Sequence, residues 1–258
     1  MVQVQDKLLK QTKMDENQNM IHGRIPPLST SQHPEPEWDY SNEPFDYSHN
    51  PSWRIFRIMA EFVDGFNFIT KFQKTVTIFG SARVDDQNEH YRAAQKLAHL
   101  LTKAGFVIVT GGGPGIMEGA NKGATEGGGE SIGLNIQLPF EQRINPYVKK
   151  AMGFNYFFTR KVMLAFSAAA FVFFPGGYGT LDELFEIITL RQTHKINPRI
   201  PIILLGRDYW GPLAAWLSEN VCKIHGTISP AELKLWELVD SPEQALGIIK
   251  KTKLTKNK

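Results

Sequence analysis

From Thr75 onward, short apolar runs alternate with longer amphipathic stretches, and this alternation constrains the fold more than any other feature. The apolar runs TVTIF, FVIVT, SIGLNI, AAFVFF and PIILL have the length of buried strands, and the stretches between them have helical periodicity. Strands that alternate with helices predict a parallel sheet, because parallel neighbours need a crossover connection. We therefore expect an α/β fold, a Rossmann-like doubly wound parallel sheet with helices on both faces.

The boundaries of individual elements follow from turn residues. We expect EHYRAAQKLAHLLTKAG to be a helix closed by Gly105 and a later helix to begin near Thr180. Around FNYFFT (residues 154–159) we predict a short strand, followed by a helix that begins at Arg160. This last region has the least regular pattern of the predicted domain.

Composition divides the chain into four parts. Residues 1–50 are rich in Gln, Asn, Ser and Pro, which predicts a mostly disordered or loosely docked arm. An alternative is a partner-binding segment anchored by aromatic residues such as Trp38. Residues 51–74 predict a helix, residues 75–250 a Rossmann-like nucleotide-binding catalytic domain, and residues 251–258 a basic, solvated tail.

The helix predicted in residues 51–74 starts near a proline and has apolar side chains at helical spacing. We expect it to pack on the core or on another subunit. Its apolar positions are Trp53, Phe56, Ala60, Val63 and Phe66.

Composition also excludes several classes of protein. The net charge of +3 over 258 residues is too small to indicate nucleic-acid binding. The longest apolar run, Val162 to Phe174, has about 13 residues, whereas a membrane-spanning helix needs about 20. The single cysteine, Cys222, excludes an intramolecular disulfide, and no signal sequence is visible, so we expect a cytoplasmic protein that binds no membrane. The seven histidines lack the spacing of metal ligands, so we expect no metal site.

Three turns that follow predicted strands carry the residues of a candidate ligand site: FGSAR (residues 79–83), TGGGPGIME (residues 110–118) and PGGYGTLDE (residues 175–183). The carboxyl ends of parallel strands line the ligand crevice of such folds, and glycines let backbone amides approach a ligand closely. Neither glycine loop matches the dinucleotide fingerprint or the P-loop, which argues against NAD and against ATP hydrolysis. One loop alone would be explained by a tight turn, but three turns at one sheet edge favour phosphate binding.

The helix that begins in the third turn carries both a phosphate-binding hydroxyl and two acids. Thr180 and the neighbouring amides suit a phosphate, whereas Asp182 and Glu183 would repel it. Adjacent helical residues point about 100° apart, so the two acids cannot face one ligand. Glu183 lies closer than Asp182 to the apolar side of the helix, which is marked by Ile187. The carboxylate of Glu183 therefore needs either an interaction partner or a functional role.

Two cations, Arg160 and Lys161, lie at the predicted start of the preceding helix. Cations are unfavourable at a helix N-terminus, so this pair also calls for a partner, either a phosphate or a carboxylate.

These motifs resemble the Lonely Guy (LOG) family of nucleoside 5′-monophosphate phosphoribohydrolases, many of which carried the older label lysine decarboxylase. The family pattern P-G-G-x-G-T-x-x-E is matched at every fixed position of residues 175–183, and TGGGPGIMEGAN and FFTRKVML carry the rest. The resemblance runs from about Thr75 to Gly247. Glu118 after Met117 looks like the longer bacterial and fungal branch.

The resemblance implies an AMP nucleosidase type of reaction. A purine nucleoside 5′-monophosphate, AMP or a cytokinin riboside monophosphate, would be hydrolysed to the free base and ribose 5-phosphate without a cofactor. Arg160 and Glu183 would be catalytic, in a homodimer or larger homo-oligomer with the site near the subunit interface. The nucleotide-binding residues would be Ser81, Arg83, Gly112, Gly113, Met117, Glu118, Lys161, Gly176, Gly177, Gly179 and Thr180.

Two other functions fit parts of the pattern. A non-catalytic nucleotide sensor would use the same phosphate loops, and only the Arg160 and Glu183 pair favours the enzyme over it. A pyridoxal-phosphate decarboxylase would need a Schiff-base lysine, for which Lys161 is the one lysine beside a motif.

Overall fold

The computed structural model describes residues 51–137 and 144–252. Within this part of the chain, seven strands form one sheet in which every neighbouring pair is parallel. The strands are β1 (Thr75–Phe79), β2 (Val107–Thr110), β3 (Ser131–Ile136), β4 (Lys150–Phe154), β5 (Ala168–Phe173), β6 (Ile202–Leu205) and β7 (Glu237–Val239).

Seven α-helices connect or flank these strands in the described residues. They are α1 (Pro51–Ile69), α2 (Glu89–Lys103), α3 (Ile116–Glu126), α4 (Phe157–Phe166), α5 (Tyr178–Gln192), α6 (Arg207–Trp216) and α7 (Pro242–Lys251). A π-helical segment, Leu217–Ile224, continues α6, and one 3₁₀ turn, Glu232–Lys234, precedes β7.

The sheet is covered on both faces, so the predicted doubly wound α/β fold is confirmed. One face packs against α2, α3 and α7, and the opposite face packs against α1, α4, α5 and α6. Strands buried on both sides explain why the apolar runs in the sequence are nearly continuous rather than alternating. Representative buried side chains are Leu97, Ala120 and Ala245 on the first face and Ile69, Met163, Leu184 and Trp210 on the second.

The strand order is β4-β3-β2-β1-β5-β6-β7. The chain therefore adds β2 to β4 on one side of β1, and then adds β5 to β7 on the other side. The order reverses between β1 and β5, and such a switch point opens a crevice at the carboxyl ends of the two strands. The loops after these strands are joined there by a hydrogen bond from the Ser81 amide to the Pro175 carbonyl oxygen, 2.9 Å long.

The region around FNYFFT differs from the prediction. The strand β4 ends at Phe154, and α4 already begins at Phe157, so Arg160 lies inside the helix and not at its first residue. The first two residues of β4, Lys150 and Ala151, are exposed at the edge of the sheet, so β4 has no apolar run to mark it. The pairing with β3, and not a hydrophobic pattern, defines this strand.

The helix predicted for residues 51–74 corresponds to α1. The arm predicted for residues 1–50 and residues 253–258 of the predicted basic tail lie outside the described residues. None of the helices in the described ranges has the length and apolar character needed to cross a membrane.

Candidate active site

A cleft of about 720 Å³ opens at the switch point between β1 and β5. Its walls come from the loops after β1, β2 and β5, from the first turns of α3, α4 and α5, and from one residue of α6. Predicted site residues that line it are Ser81, Arg83, Met117, Arg160, Lys161, Gly176, Gly177, Gly179, Thr180 and Glu183.

Three predicted site residues do not line this cleft. Gly112 and Gly113 lie behind its wall, where their carbonyl oxygens accept hydrogen bonds from the Asn145 side-chain amide. Glu118 accepts a hydrogen bond of 3.3 Å from the Tyr91 hydroxyl on α2. Burial, together with the charge of Glu118, raises the pKa of that phenol, so Tyr91 remains a hydrogen-bond donor at neutral pH.

The loop after β5 leaves its backbone open to the cleft. A Cβ atom added at Gly177 or Gly179 would meet no atom within 4 Å, and neither residue has a positive φ. Gly177 precedes the first turn of α5, and no side chain caps that turn. The amides at the start of α5 are therefore available to an anion, and the two glycines leave room for it.

Thr180 is held inside this turn. Only 6% of the residue is exposed. Its hydroxyl and methyl groups pack against the Cα of Gly176, at a place where a Cβ atom would overlap them. Gly176 is thus needed for packing, in contrast to Gly177 and Gly179.

Tyr209, on α6, is a cleft residue that sequence reasoning missed. Its hydroxyl donates a short hydrogen bond to the carbonyl oxygen of Gly176. This contact holds one peptide of the glycine loop from the outside. Tyr209 is 33 residues from Gly176 in the chain and lies in an ordinary amphipathic helix, so no motif marks it in the sequence.

The centre of the cleft wall is an ion pair between two helices. Arg160 Nη2 on α4 lies 3.0 Å from Glu183 Oε1 on α5, and only 14% of each side chain is exposed. Burial raises the pKa of Glu183 to about 7, although the charge of Arg160 opposes this shift. Burial also lowers the pKa of Arg160 from its ordinary value, and Glu183 opposes that shift. At neutral pH the carboxyl is poised between its two protonation states.

Arg160 retains hydrogen-bonding capacity that the ion pair does not use. Its Nε is buried and has no hydrogen-bond partner among the described residues. A buried donor without a partner is costly, so a bound ligand would relieve a cost already present in the free protein.

Lys161 belongs to a second, more exposed ion pair. Its Nζ lies 2.8 Å from Asp182 Oδ2 and 3.0 Å from Glu186 Oε2. Partial burial lowers the pKa of Lys161, but the hydrogen bonds to the two acids outweigh it, and the net effect is a raised pKa. The two adjacent acids of α5 thus face different cations, Glu183 facing Arg160 and Asp182 facing Lys161.

A buried polar network holds the loop after β2 in place. The Asn145 side chain binds the loop carbonyls of Gly112 and Gly113 and also the Asn121 side chain, at 2.9 Å. Asn121 in turn contacts Thr110. Sequence reasoning missed both asparagines, because Asn121 and Asn145 lie 24 residues apart and outside any strand-to-helix turn.

One group of potential metal ligands lies at the sheet edge beside the cleft. The side chains of Glu89, His90 and Asp208 offer ligand atoms within 4.8 Å of one another, and His90 Nε2 lies 3.8 Å from Asp208 Oδ2. Glu89 and Asp208 both lie in the first turn of a helix, where acids are favourable without a cation. The arrangement is therefore explained by the helix termini alone.

Comparison with known proteins agrees with the motifs. A family model described as "Possible lysine decarboxylase" matches residues 117–249, about half of the chain. A rice protein (Oryza sativa subsp. japonica), the probable cytokinin riboside 5′-monophosphate phosphoribohydrolase LOGL3, is 31% identical over 179 residues, which cover 67% of this chain and 80% of the rice protein. The chain belongs to the LOG family.

Two further LOG relatives show the same level of similarity. The rice protein LOGL5, also a probable cytokinin riboside 5′-monophosphate phosphoribohydrolase, is 33% identical over 61% of this chain, and the match spans 63% of LOGL5. LOG3 of Arabidopsis thaliana, a cytokinin riboside 5′-monophosphate phosphoribohydrolase, is 29% identical over 70% of this chain and 82% of its own length.

Solved structures share the fold of this LOG-family chain. A molybdenum cofactor binding protein of Rippkaea orientalis superposes with a TM-score of 0.54 at 22% identity, covering 69% of this chain and 96% of that one. The structural genomics target TM1055 gives a TM-score of 0.52 at 25% identity, with 69% and 99% coverage. Both cover about the same share of this chain.

Proposed function

We propose that this LOG-family protein hydrolyses the N-glycosidic bond of a purine nucleoside 5′-monophosphate, AMP or a cytokinin riboside monophosphate, and releases the free base and ribose 5-phosphate. The observation that carries the proposal is the buried Arg160–Glu183 ion pair, which shares one cleft with an open glycine loop at the start of α5. The proposed phosphate-binding site and the reactive carboxyl are then close enough for one nucleotide to contact both.

In this proposal the start of α5 binds the 5′-phosphate. The amides from Gly177 to Thr180 supply hydrogen bonds, and the helix dipole favours the negative charge. A Cβ atom added at Gly177 or Gly179 would have no neighbour within 4 Å, which leaves the space that a phosphate requires. Lys161 and Arg83, which also line the cleft, add positive charge.

Glu183 carries the chemistry in this proposal. Cleavage of the bond between the ribose C1′ and the base nitrogen develops positive charge on the sugar, and a carboxylate stabilises such an oxocarbenium-like transition state. Water then adds to C1′ and loses one proton to Glu183, and the departing base nitrogen takes up one proton from solvent, so one water is consumed for each base released. A pKa of about 7 keeps a large fraction of Glu183 as carboxylate at neutral pH and also lets it accept a proton from the attacking water.

Arg160 would hold Glu183 in place and bind the ribose or the phosphate. Its Nη2 already donates to Glu183, and its unpaired Nε provides a second donor. Preorganised charges of this kind commonly account for about 3–4 kcal/mol of transition-state stabilisation.

Incubation of the purified protein with AMP, followed by chromatography for adenine and ribose 5-phosphate, tests the proposal. A panel with GMP, CMP and a prenylated AMP then reports the preferred base. Release of adenine that Glu183→Ala abolishes would support the phosphoribohydrolase. Nucleotide that binds tightly and stays intact for hours would favour the alternative, a non-catalytic nucleotide sensor of the same fold.

The older decarboxylase label is disfavoured by Lys161. A lysine that forms a Schiff base needs a lowered pKa, so that its amine is neutral. The contacts with Asp182 and Glu186 raise the pKa of Lys161 instead. An absorbance band of bound pyridoxal phosphate would contradict this argument.

We further propose that the protein forms a homodimer or a larger homo-oligomer through an apolar face on α1 and α4. Phe66 and Phe166 pack these helices together, with ring centroids 4.7 Å apart, but the outer side of both helices is exposed. Contiguous exposed apolar surface commonly marks an interface. Sedimentation velocity of the wild type and of Phe56→Asp would test this. The exposed residues of this face are Trp53, Ile55, Phe56, Met59, Val63, Phe157, Phe158 and Val162.

We also propose a cytoplasmic location, on the basis of the single cysteine, Cys222, which is buried and unpaired. Cell fractionation of a tagged protein tests it, and recovery in a secreted fraction would contradict it.

A further inference from the structure

Glu61, in the middle of α1, is a buried acid that the mechanism above does not use. Only 9% of the residue is exposed, whereas Asp64, one turn further along the same helix, is exposed. Buried carboxylates are rare unless they are paired or hydrogen-bonded, so the position of Glu61 needs an explanation. Glu61 also lies outside residues 117–249, which match the family model.

The hydrogen-bond partners that the described residues give Glu61 lie just before α4 and in its first turn. Oε1 accepts hydrogen bonds from the Asn155 backbone amide and from the Asn155 side-chain amide, both 2.8 Å long. Oε2 accepts from the Thr159 hydroxyl at 2.6 Å and from the Tyr156 amide at 3.4 Å. Three of these partners are N–H donors, which a carboxylate satisfies because it is acceptor-only when ionised. The Thr159 hydroxyl also lies 2.8 Å from the Tyr156 carbonyl oxygen, to which it can donate instead.

These contacts supply what α4 lacks within its own sequence. The first turn of a helix leaves backbone amides without intrahelical partners, and a Ser, Thr, Asp or Asn at the N-cap commonly satisfies one of them. In α4 the N-cap residue is Tyr156, which provides no side-chain cap. Glu61, on a different helix, binds the amides of Asn155 and Tyr156, which lead into α4, and contacts the Thr159 hydroxyl in its first turn. Its negative charge is favourable at a helix N-terminus.

The first turns of α4 also carry the cations of the cleft. Arg160 directly follows Thr159, the residue whose hydroxyl contacts Glu61, and Lys161 comes next. Arg160 reaches Glu183 across the gap between α4 and α5 with a single contact of 3.0 Å. A shift or fraying of the first turn of α4 would therefore change this distance directly.

We propose that Glu61 is a positioning residue for the reaction: by capping α4 from α1, it sets where Arg160 meets Glu183 and the nucleotide. The inference rests on the proposed function for its kinetic consequence, but the nucleotide-binding consequence does not require that the nucleotide is cleaved. It also gives α1 a role in the site itself, in addition to the apolar face that it presents.

The alternative role for Glu61 is stability alone, and a double-mutant cycle separates the two. If Glu61 acts through Arg160, Glu61→Ala lowers kcat/KM for AMP by about tenfold or more in the wild-type background and by less than about twofold in an Arg160→Ala background. If Glu61 only stabilises the fold, the two factors are equal. Thermal unfolding gives the Tm of every variant. Kinetics are then measured well below that Tm, so that a loss of folded protein does not lower the apparent kcat/KM.

Two further variants keep the test independent of folding. Glu61→Gln retains the volume and one oxygen for the two Asn155 donors, and its NH₂ can donate to the Thr159 hydroxyl, so it should lower kcat/KM less than Glu61→Ala does. Asp64→Asn removes an exposed carboxylate from the same helix and should leave kcat/KM unchanged. A normal kcat/KM in Glu61→Ala, or an equal loss in both backgrounds, would overturn the inference.

The dissociation constant of AMP, measured by calorimetry, distinguishes a failure of this inference from a failure of the proposed function. If the wild type binds AMP without cleaving it, the hydrolase proposal fails. Glu61→Ala should still weaken AMP binding in the wild-type background and not in the Arg160→Ala background. Equal weakening in both backgrounds would reject the positioning role, whatever the outcome for hydrolysis.

Discussion

The two glycine loops of the cleft look alike in sequence but use their glycines differently. In the loop after β2, residues 111–115, Gly112 and Gly115 have φ values of +74° and +70°. A Cβ atom added at Gly112 would lie 3.2 Å from the Gly133 Cα, and one added at Gly115 would collide with the backbone after β1. In the loop after β5, Gly177 and Gly179 have neither constraint. The first loop needs glycine in order to fold, whereas the second leaves open the space that we propose for the phosphate.

This contrast indicates a different role for each of the two glycine loops. The loop after β2 is a fixed wall, held by Asn145, and it presents Gly111 and the following Met117 to the cleft. The loop after β5 leaves open space at the start of α5, and α5 also carries Glu183. Substitutions in the two loops should therefore have different effects, and substitution of Glu183, the proposed catalytic acid, should have a third.

The largest effect is expected at Glu183. Glu183→Gln keeps the shape of the side chain but removes the charge that would stabilise the ribosyl cation, so kcat for AMP should fall by about 100-fold or more. The Tm at neutral pH should also fall, because the substitution leaves the buried Arg160 charge without its carboxylate partner. Steady-state kinetics and thermal unfolding check both parts.

Glu186→Gln is the matched control for this substitution. Glu186 lies one turn further along α5 and contacts Lys161 at the rim of the cleft. Its loss should change kcat less than about threefold, since exposed ion pairs contribute little. Similar losses in the two variants would remove the distinction between Glu183 and the other acids of α5.

The fixed loop should respond in stability. In Gly115→Ala the new Cβ would overlap the Ser81 carbonyl oxygen and lie 2.8 Å from the carbonyl carbon of Ala82, in addition to the strain of the positive φ. We expect the free energy of unfolding to fall by roughly 2–4 kcal/mol in urea titrations.

Gly128→Ala separates strain from collision. Gly128 has a φ of +77°, but a Cβ there would meet nothing within 4 Å. It should cost only about 1 kcal/mol. Equal losses at Gly115 and Gly128 would show that the close approach to the β1 loop contributes nothing to stability.

The open loop should respond in binding. Gly179 is the second residue of α5, so Gly179→Ala should raise stability by about 0.5–1 kcal/mol through helix propensity, while the added methyl group weakens AMP binding by about tenfold. Calorimetry and urea unfolding measure the two opposite changes.

Gly247→Ala, inside α7 and also without neighbours at the Cβ position, is the control for this substitution. It should give the same gain in stability with unchanged AMP affinity. An unchanged affinity in Gly179→Ala as well would mean that the phosphate does not use the space at the start of α5.

The same contrast shows how far the sequence could predict this molecule. The α/β fold was predictable because strands buried on both faces leave continuous apolar runs, and the strand-to-helix turns were predictable from their glycines. The reason for each glycine was not, because φ values and neighbours such as Gly133 depend on the folded chain. The exposed edge strand β4 was predicted too late in the chain, around residues 154–159, because its burial pattern does not alternate.

The supporting residues of the cleft were out of reach for a related reason. Tyr209, Asn145 and Glu61 contact the site elements from 33, 33 and 98 residues away in the chain, and none belongs to a motif. The motif residues identify which side chains touch a ligand. The packing partners that hold those side chains come from elements whose relative placement only the fold determines.

The remaining expected effect is the pH dependence of stability that Glu183 imposes. Its pKa is about 7 in the folded protein, against an ordinary value of 4.5, because burial disfavours the charged form. Between these two values the folded chain binds more protons than the unfolded chain, so the stabilisation present below about pH 4.5 is lost as the pH rises through about 7. The Tm of the wild type minus that of Glu183→Gln should therefore decrease between about pH 5 and about pH 7.5, measured by calorimetry in one buffer series. A constant difference would mean that Glu183 ionises as an exposed acid does. The buried ion pair with Arg160 would then no longer distinguish Glu183 from the proposed phosphate-binding residues at the start of α5.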